Sequence, residues 1–256
     1  LTARLLRERD PSARLKTFSV GMGEGEDVRF ARLMAEHIGS EHHELMITLE
    51  QMLQALPEVV GHLESFDPSL VRSSVSNFFV SRFAGEHGME VLMSGEGGDE
   101  IFCGYRHLQQ TAPEDLFAGQ MECLGFLHNN ASLRLDRMNA CNSIRVVAPL
   151  ISGELFRYAQ TVPAEHQVKR SGGQAIEKWL FRKAFESELP AEIAWRVKAE
   201  FSQGSGSAAL LPEHFEKTVS DQELAEARAR HPVIRSKEEL AYFNIFTERV
   251  GTGKAV

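Results

Sequence analysis

Val91-Leu92-Met93-Ser94-Gly95-Glu96-Gly97-Gly98-Asp99-Glu100-Ile101-Phe102-Cys103-Gly104-Tyr105 is the stretch on which the fold turns. A short apolar run, Val91 to Met93, reads as a strand and ends abruptly in three glycines and three carboxylates. Glycine lets a backbone take positive φ and come close to a ligand. A strand that ends in such a turn and hands over to a helix-like stretch is where open α/β sheets bind ligands. Glu96, Asp99 and Glu100 repel one another at this spacing, so the turn calls for a positive partner. The acids would repel a bare triphosphate, whereas Mg²⁺ takes carboxylate oxygens and brings phosphates with it. The stretch therefore reads as a magnesium-nucleotide site, or else as a glycine turn before an acid-capped helix, because Asp and Glu also suit a helix N-terminus. Local spacing leaves both readings open.

The chain around it has 256 residues, 43% hydrophobic and 25% charged, which allows a sizeable core and one or two domains. A net charge of -8, with basic residues scattered, argues against a nucleic-acid or anionic-membrane surface. Cys103, Cys123 and Cys141 lack metal-ligand spacing, and their odd number fits a reducing compartment. No apolar run reaches the roughly 18 residues of a membrane span. No signal peptide is visible, so a cytoplasmic location is expected. Leu1 falls inside a helical stretch, so the chain reads as a piece of something longer.

Strand and helix signals alternate along the chain up to residue 91. Residues 1–9 are amphipathic and Asp10-Pro11 stops them. Residues 15–21 alternate as a strand, 27–38 have helical spacing, and 44–48 read as a short strand. Residues 49–63 are helical with an expected break at Pro57, and 74–86 are helical behind a hydroxyl-capped entry. This alternation predicts an α/β fold, a parallel sheet with flanking helices. After about residue 112 strand candidates thin out and helical stretches dominate, notably 176–188 and 237–250. The expected division is a nucleotide-binding α/β part, 1–112, and a mainly helical part, 113–256.

Weaker signals have bland readings. Gly21 to Glu26 lacks the third glycine of a dinucleotide loop, and Ser171-Gly172-Gly173-Gln174 follows basic residues and reads as a surface loop. His42 and His43 would point to opposite faces of a strand, so a structural role is favoured over a shared ion. Cys103 reads as packing, with the nearby acids suppressing its thiolate. Lys198, ahead of a Gly/Ser-rich turn, and Arg72 are cations able to meet phosphate.

Several stretches, in order, resemble the synthetase domain of glutamine-dependent asparagine synthetases. They are Thr17 to Gly21, Glu41 to Glu44, His62-Leu63-Glu64 with Arg72, Ser94 to Glu100 with Phe102 and Gly104-Tyr105, Asp136-Arg137-Met138, Glu177 to Leu180 with Arg182 to Phe185, and Arg196 to Phe201. The acidic turn is the specific motif. The resemblance implies an adenine nucleotide alpha-hydrolase-like fold and an ATP-dependent ligase of asparagine and amino-acid biosynthesis. Aspartate would attack the α-phosphorus of Mg-ATP, pyrophosphate would leave a β-aspartyl-AMP, and ammonia would displace AMP. Carried over by position, Val20, Ser94 and Gly95 would line the adenosine pocket, and Asp99 would help hold Mg²⁺ and pyrophosphate. Glu96 would take a proton from ammonia, Lys198 would neutralise phosphate charge, and Arg72 would meet phosphate or substrate carboxylate. Ammonia would come from a glutaminase domain, and a homodimer is the candidate assembly.

The resemblance places a Ser-Gly-Gly-x-Asp-Ser phosphate loop and the glutaminase domain upstream of Leu1, so the chain alone is expected to be incomplete as an enzyme. After Met138 the family pattern of an acid, an arginine and Pro-Phe-Leu-Asp is replaced around Arg145, Val147 and Pro149 to Ser152, and Gln203 stands for an aspartate. These departures bear on the amino-acid acceptor more than on the nucleotide. A relative closing a β-lactam or cyclic peptide, and a non-catalytic family member, are the alternatives. Glu96 favours the ammonia-using branch, because lactam-forming relatives carry a tyrosine there.

Overall fold

The computed structural model describes residues 1–22, 25–196 and 207–251. Compactness divides the chain differently from the composition break near residue 112. One unit gathers residues 1–90, 137–144 and 199–256; the other gathers 91–136 and 145–198.

In the first unit, α1 (Thr2–Arg9) leads to β1 (Lys16–Gly21), α2 (Glu26–Ile38) and β2 (Glu41–Met46). The strands run parallel in register from Lys16↔Glu41 to Gly21↔Met46, with α2 on them, as strand–helix–strand alternation dictates. β2 begins three residues before the expected start at Glu44, because Thr17 and Ser19 of β1 meet His42 on one face and Phe18 stacks on His43 on the other. The two histidines have separate partners, and the structural reading of this pair holds.

α3 (Leu49–Leu63) begins at a capping box, in which Gln51 N–H donates to Thr48 Oγ1 and Thr48 N–H to the Gln51 side chain. Pro57 does not break it. An interior proline costs about 3 kcal/mol. Met52, Leu56, Val59, Val60 and Leu63 are all buried on this helix, and each such side chain contributes about 1.5–3 kcal/mol. Tertiary burial outweighs the local penalty. α4 (Pro68–Glu86) starts six residues before the expected 74. Its cap is the Asp67 carboxylate, which accepts from Leu70 N–H at 3.0 Å, with Pro68 in the first turn, and not a hydroxyl.

The second unit carries β3 (Val91–Met93), α5 (Gly98–Ile101), α6 (Arg106–Gln110), α7 (Leu116–Phe126), α8 (Ala131–Ala140, of which the first six residues belong here), β4 (Arg145–Val147), α9 (Gly153–Gln160) and α10 (Ala164–Gln167). It closes with β5 (Lys169–Ser171), β6 (Gln174–Ile176), α11 (Trp179–Phe185) and α12 (Ala191–Ala194). β4 lies parallel to β3, pairing Val91 with Arg145 and Met93 with Val147. β5 and β6 form an antiparallel hairpin whose turn residues, Gly172 and Gly173, both have positive φ, 59° and 78°. That is the conformation a two-residue hairpin turn demands, and only glycine takes it without strain. The stretch expected as helix over 176–188 therefore starts as a strand, and its helix is confined to α11. α13 (Ser207–Thr218), α14 (Asp221–Arg230) and α15 (Lys237–Arg249) complete the first unit.

The fold is thus α/β and mostly helical, with the described strands in three two-stranded sheets, two of them parallel. No helix among the described residues is long and apolar enough to cross a membrane.

Candidate active site

The turn after β3 is built residue by residue from its backbone. Ser94 N–H donates to the Val147 carbonyl at 2.9 Å, which extends the β3–β4 pairing by one position. Glu96 N–H then turns back onto Ser94 Oγ at 3.2 Å. Gly97 sits at φ 91°, a left-handed conformation that a side chain resists, and a Cβ there would strike Ile151. α5 follows as a single turn. The buried Gln120 amide fastens its end, donating to the carbonyls of Glu100 at 3.2 Å and Ile101 at 2.6 Å.

The positive partner that the three acids call for comes from the chain itself. Arg134 of α8, only 11% exposed, places Nη2 2.8 Å from Glu96 Oε2. Lys178, at φ 54° just before α11, places Nζ 2.9 Å from Asp99 Oδ1. Glu100 is buried, and burial pushes its carboxyl above the ordinary glutamate value while a hydrogen bond from Tyr105 Oη pulls the other way. Burial and the neighbouring Glu100 carboxyl raise the Tyr105 hydroxyl in turn. Electrostatic crowding in the turn is thus relieved without an external ion, and it no longer argues for one by itself.

Gly104 completes the arrangement. Its N–H donates to the Asp99 carbonyl at 2.8 Å, and a Cβ on it would run into the Asp99 carboxylate and the Lys178 side chain. Close approach therefore requires glycine here. Arg182 anchors the segment beyond Lys178: it pairs with the Glu177 carboxylate and donates to the carbonyls of Ala194 at 2.6 Å and Arg196 at 2.9 Å.

The turn brings Ser94, Gly95, Glu96 and Asp99 together. Val20, buried near the end of β1, and Arg72, on α4, stand in the first unit. Arg72 is 25% exposed and its Nη1 lies 2.5 Å from Glu238 Oε2. Lys198 and Gln203 lie outside the described residues. Sequence reasoning did not assign roles to Arg134, Lys178 or Gly104. The signal was available: a turn that calls for positive charge directs attention to every arginine and lysine of the chain, and Lys178 already stands in one of the quoted motifs.

Cys103 packs with Leu108, Leu116 and Val168, and burial pushes its thiol up to about 12. The cause is desolvation with Cys123 beside it, not the neighbouring acids. A cavity of about 380 Å³ opens beside Glu100 and Tyr105, where Cys123 Sγ is 3.3 Å from His107 Nε2. Burial raises that thiol too, which disfavours the nucleophilic thiolate.

Among the described residues no group of three or more His, Cys, Asp or Glu side chains converges to hold a metal. Magnesium on a nucleotide needs no such cage, since one or two carboxylates with substrate phosphates suffice. Asp99 fits that requirement as a single carboxylate.

A family model described as asparagine synthase matches residues 1–122 and 118–242. The chain is 34% identical over 254 residues to the glutamine-hydrolysing asparagine synthetase of Gallus gallus, covering 95% of this chain and 45% of that protein. Against the one from Homo sapiens it is 34% identical over 261 residues, covering 98% and 46%. Against asparagine synthetase B of Escherichia coli it is 33% identical over 239 residues, covering 91% and 43%. The chain spans a little under half the length of these curated relatives.

Proposed function

This chain belongs to the asparagine synthase family, and on that premise we propose that it is the ATP-dependent, amide-forming part of a protein that converts aspartate to asparagine. Aspartate's side-chain carboxylate attacks the α-phosphorus of ATP and pyrophosphate leaves. Ammonia, supplied by a glutaminase domain of the longer protein, then attacks the acyl carbon of β-aspartyl-AMP and releases AMP. The nucleotide part has the adenine nucleotide alpha-hydrolase-like architecture, with Val20, Ser94 and Gly95 against the adenosine. Asp99 would hold Mg²⁺, which would supply positive charge to the pyrophosphate.

The chain's own residues do the rest. Glu96 accepts a proton from the attacking ammonia, work for a carboxylate within hydrogen-bond reach. Arg134 orients it. Arg72 and Lys198 meet phosphate and carboxylate charge as it develops. Lys178 keeps Asp99 in place.

The observation that carries this reading is the state of Glu96. Arg134 engages its Oε2 at 2.8 Å, and the side chain is 20% exposed. A carboxylate fixed through one oxygen is oriented and keeps its second oxygen as an acceptor. The test uses the intact protein with Glu96→Ala, assayed for pyrophosphate exchange and for ammonia-dependent asparagine. Exchange should persist while amide product falls by about 10²–10⁴-fold, the range of a lost general base. Unchanged asparagine output would remove Glu96 from the reaction.

A further inference from the structure

Lys237-Glu238-Glu239 opens α15, and all three residues are buried. Together they tie α15 to α13, α14 and α4. Lys237 Nζ meets Glu216 of α13 at 3.0 Å and Asp221 of α14 at 2.8 Å. Glu239 accepts from Arg235 N–H at 2.6 Å and from its guanidinium at 2.8 Å, and Arg235 reaches Asp67, the cap of α4, at 3.5 Å. Glu238 goes to Arg72, also on α4.

Glu238 uses both carboxylate oxygens. Oε2 accepts from Arg72 Nη1 at 2.5 Å, and Oε1 accepts from Tyr242 Oη at 2.8 Å. Tyr242 is fully buried one helical turn further on, so its hydroxyl holds the carboxylate from behind. Burial pushes the Glu238 carboxyl up, against the pull of Tyr242 and Arg72. The two ends of the Arg72 side chain differ. Nη1 is committed to Glu238, while the guanidinium is partly exposed and its other N–H donors have no partner among the described residues. A guanidinium is a rigid planar fork, so fixing one donor fixes the direction of the others.

We propose that Glu238, backed by Tyr242, is a positioning residue that fixes one edge of the Arg72 guanidinium and leaves the opposite edge to grip an anionic group of the substrate, a phosphate or a carboxylate. This rests on the reading of Arg72 as a substrate contact. The C-terminal helix thereby takes part in substrate binding without touching substrate. A purely structural ion pair would leave substrate affinity alone once the fold is intact, so affinity is what separates the two roles.

The experiment compares Arg72→Ala, Glu238→Gln, Tyr242→Phe and the Arg72→Ala/Glu238→Gln double variant in the intact protein, with KM for ATP and for aspartate, kcat, and Tm. Glu238→Gln should raise one of the two KM values about tenfold with a smaller change in kcat, since misplacement of about 1 Å costs up to about 10²-fold. Tyr242→Phe should move the same KM by a smaller factor. In the double variant Glu238→Gln should add nothing to Arg72→Ala, because both act through one guanidinium. Additive losses, or unchanged KM values in folded Glu238→Gln, would overturn the positioning role alone. Unchanged kinetics in Arg72→Ala would overturn that role together with the assignment of Arg72 to the site. If Glu238→Gln does not fold, Tyr242→Phe decides: it keeps the ion pair, and an unmoved KM there overturns the proposal.

Discussion

The turn after β3 and the first turn of α15 both crowd carboxylates, and they neutralise them to different degrees. In α15, Glu238 has both oxygens engaged, by Arg72 and Tyr242, and Glu239 meets the guanidinium and backbone of Arg235. In the turn, Arg134 engages Oε2 of Glu96, Lys178 meets Oδ1 of Asp99, and Glu100 keeps Oε2 buried with no hydrogen-bond partner among the described residues. A buried acid without full satisfaction costs free energy, so a fold retains one where something other than stability is selected. The first arrangement is a structural node that steadies a neighbouring arginine, and the second is a site with capacity held in reserve. Cations from the same chain support both, so negative crowding by itself does not distinguish them; unspent acceptors do.

The largest effect that can break this contrast is expected at glycine. Gly104→Ala would drive a methyl group into the Asp99–Lys178 pair. Activity of the intact protein should fall about 10²-fold, as for a catalytic group displaced by about 1 Å. Stability should fall by about 1–3 kcal/mol from overpacking, read as a lower Tm. In α3, beneath α15, Gly61→Ala should do the reverse. An added Cβ meets only Arg249, at 3.8 Å, so the substitution should stabilise by about 0.5–1 kcal/mol, the usual gain from removing a mid-helix glycine. If both glycines tolerate alanine equally, the turn is not closely packed around its acid.

Arg134→Gln ranks next. It leaves Glu96 partly buried without its cation, which should lower stability by about 1–3 kcal/mol. The kinetic signature is sharper: pyrophosphate exchange should persist while amide formation falls, since Arg134 pairs with Glu96, the acid read as the base for ammonia. Equal loss in both steps would place Arg134 among the structural ion pairs, with Arg235 and Glu239.

Much of this was legible in residue order and much was not, for physical reasons. Helices α2, α3 and α4 and strands β1 and β3 declare themselves through period and punctuation, with boundaries shifted by caps such as Asp67. β4, β5 and β6 are three residues each, too short for a period-two signal, and β4 exists only because β3 pairs with it. Pro57 misleads because burial along α3 outweighs a local penalty. The acidic turn identifies itself, yet its partners do not: Arg134 lies 38 residues from Glu96, and no local pattern ties them. Glu238 and Tyr242 stand four apart on a helix, a spacing that reads as any helical face until Arg72 is seen against it.

The smallest effect is the dependence of stability on pH, and it should differ in sign between Glu100 of the turn and Glu239 of α15. Burial raises the Glu100 carboxyl above the ordinary value of 4.5, so the folded protein holds that proton where the unfolded chain has released it. Its contribution to stability is greatest below about 4.5 and declines as pH rises through the higher folded value. Glu239 is also pushed up by burial, but the Arg235 side chain and backbone N–H outweigh this and hold it below 4.5. Its contribution is present above the unfolded value and is lost as pH falls through the folded one. Substitution by glutamine removes either titration. The Tm of Glu100→Gln relative to the unaltered protein should therefore rise between pH 4 and pH 8, and that of Glu239→Gln should fall. The experiment is a pair of thermal melts at each pH in equal salt. Parallel slopes would mean that both acids are equally well paired, and the turn would then hold no more unspent capacity than the helix.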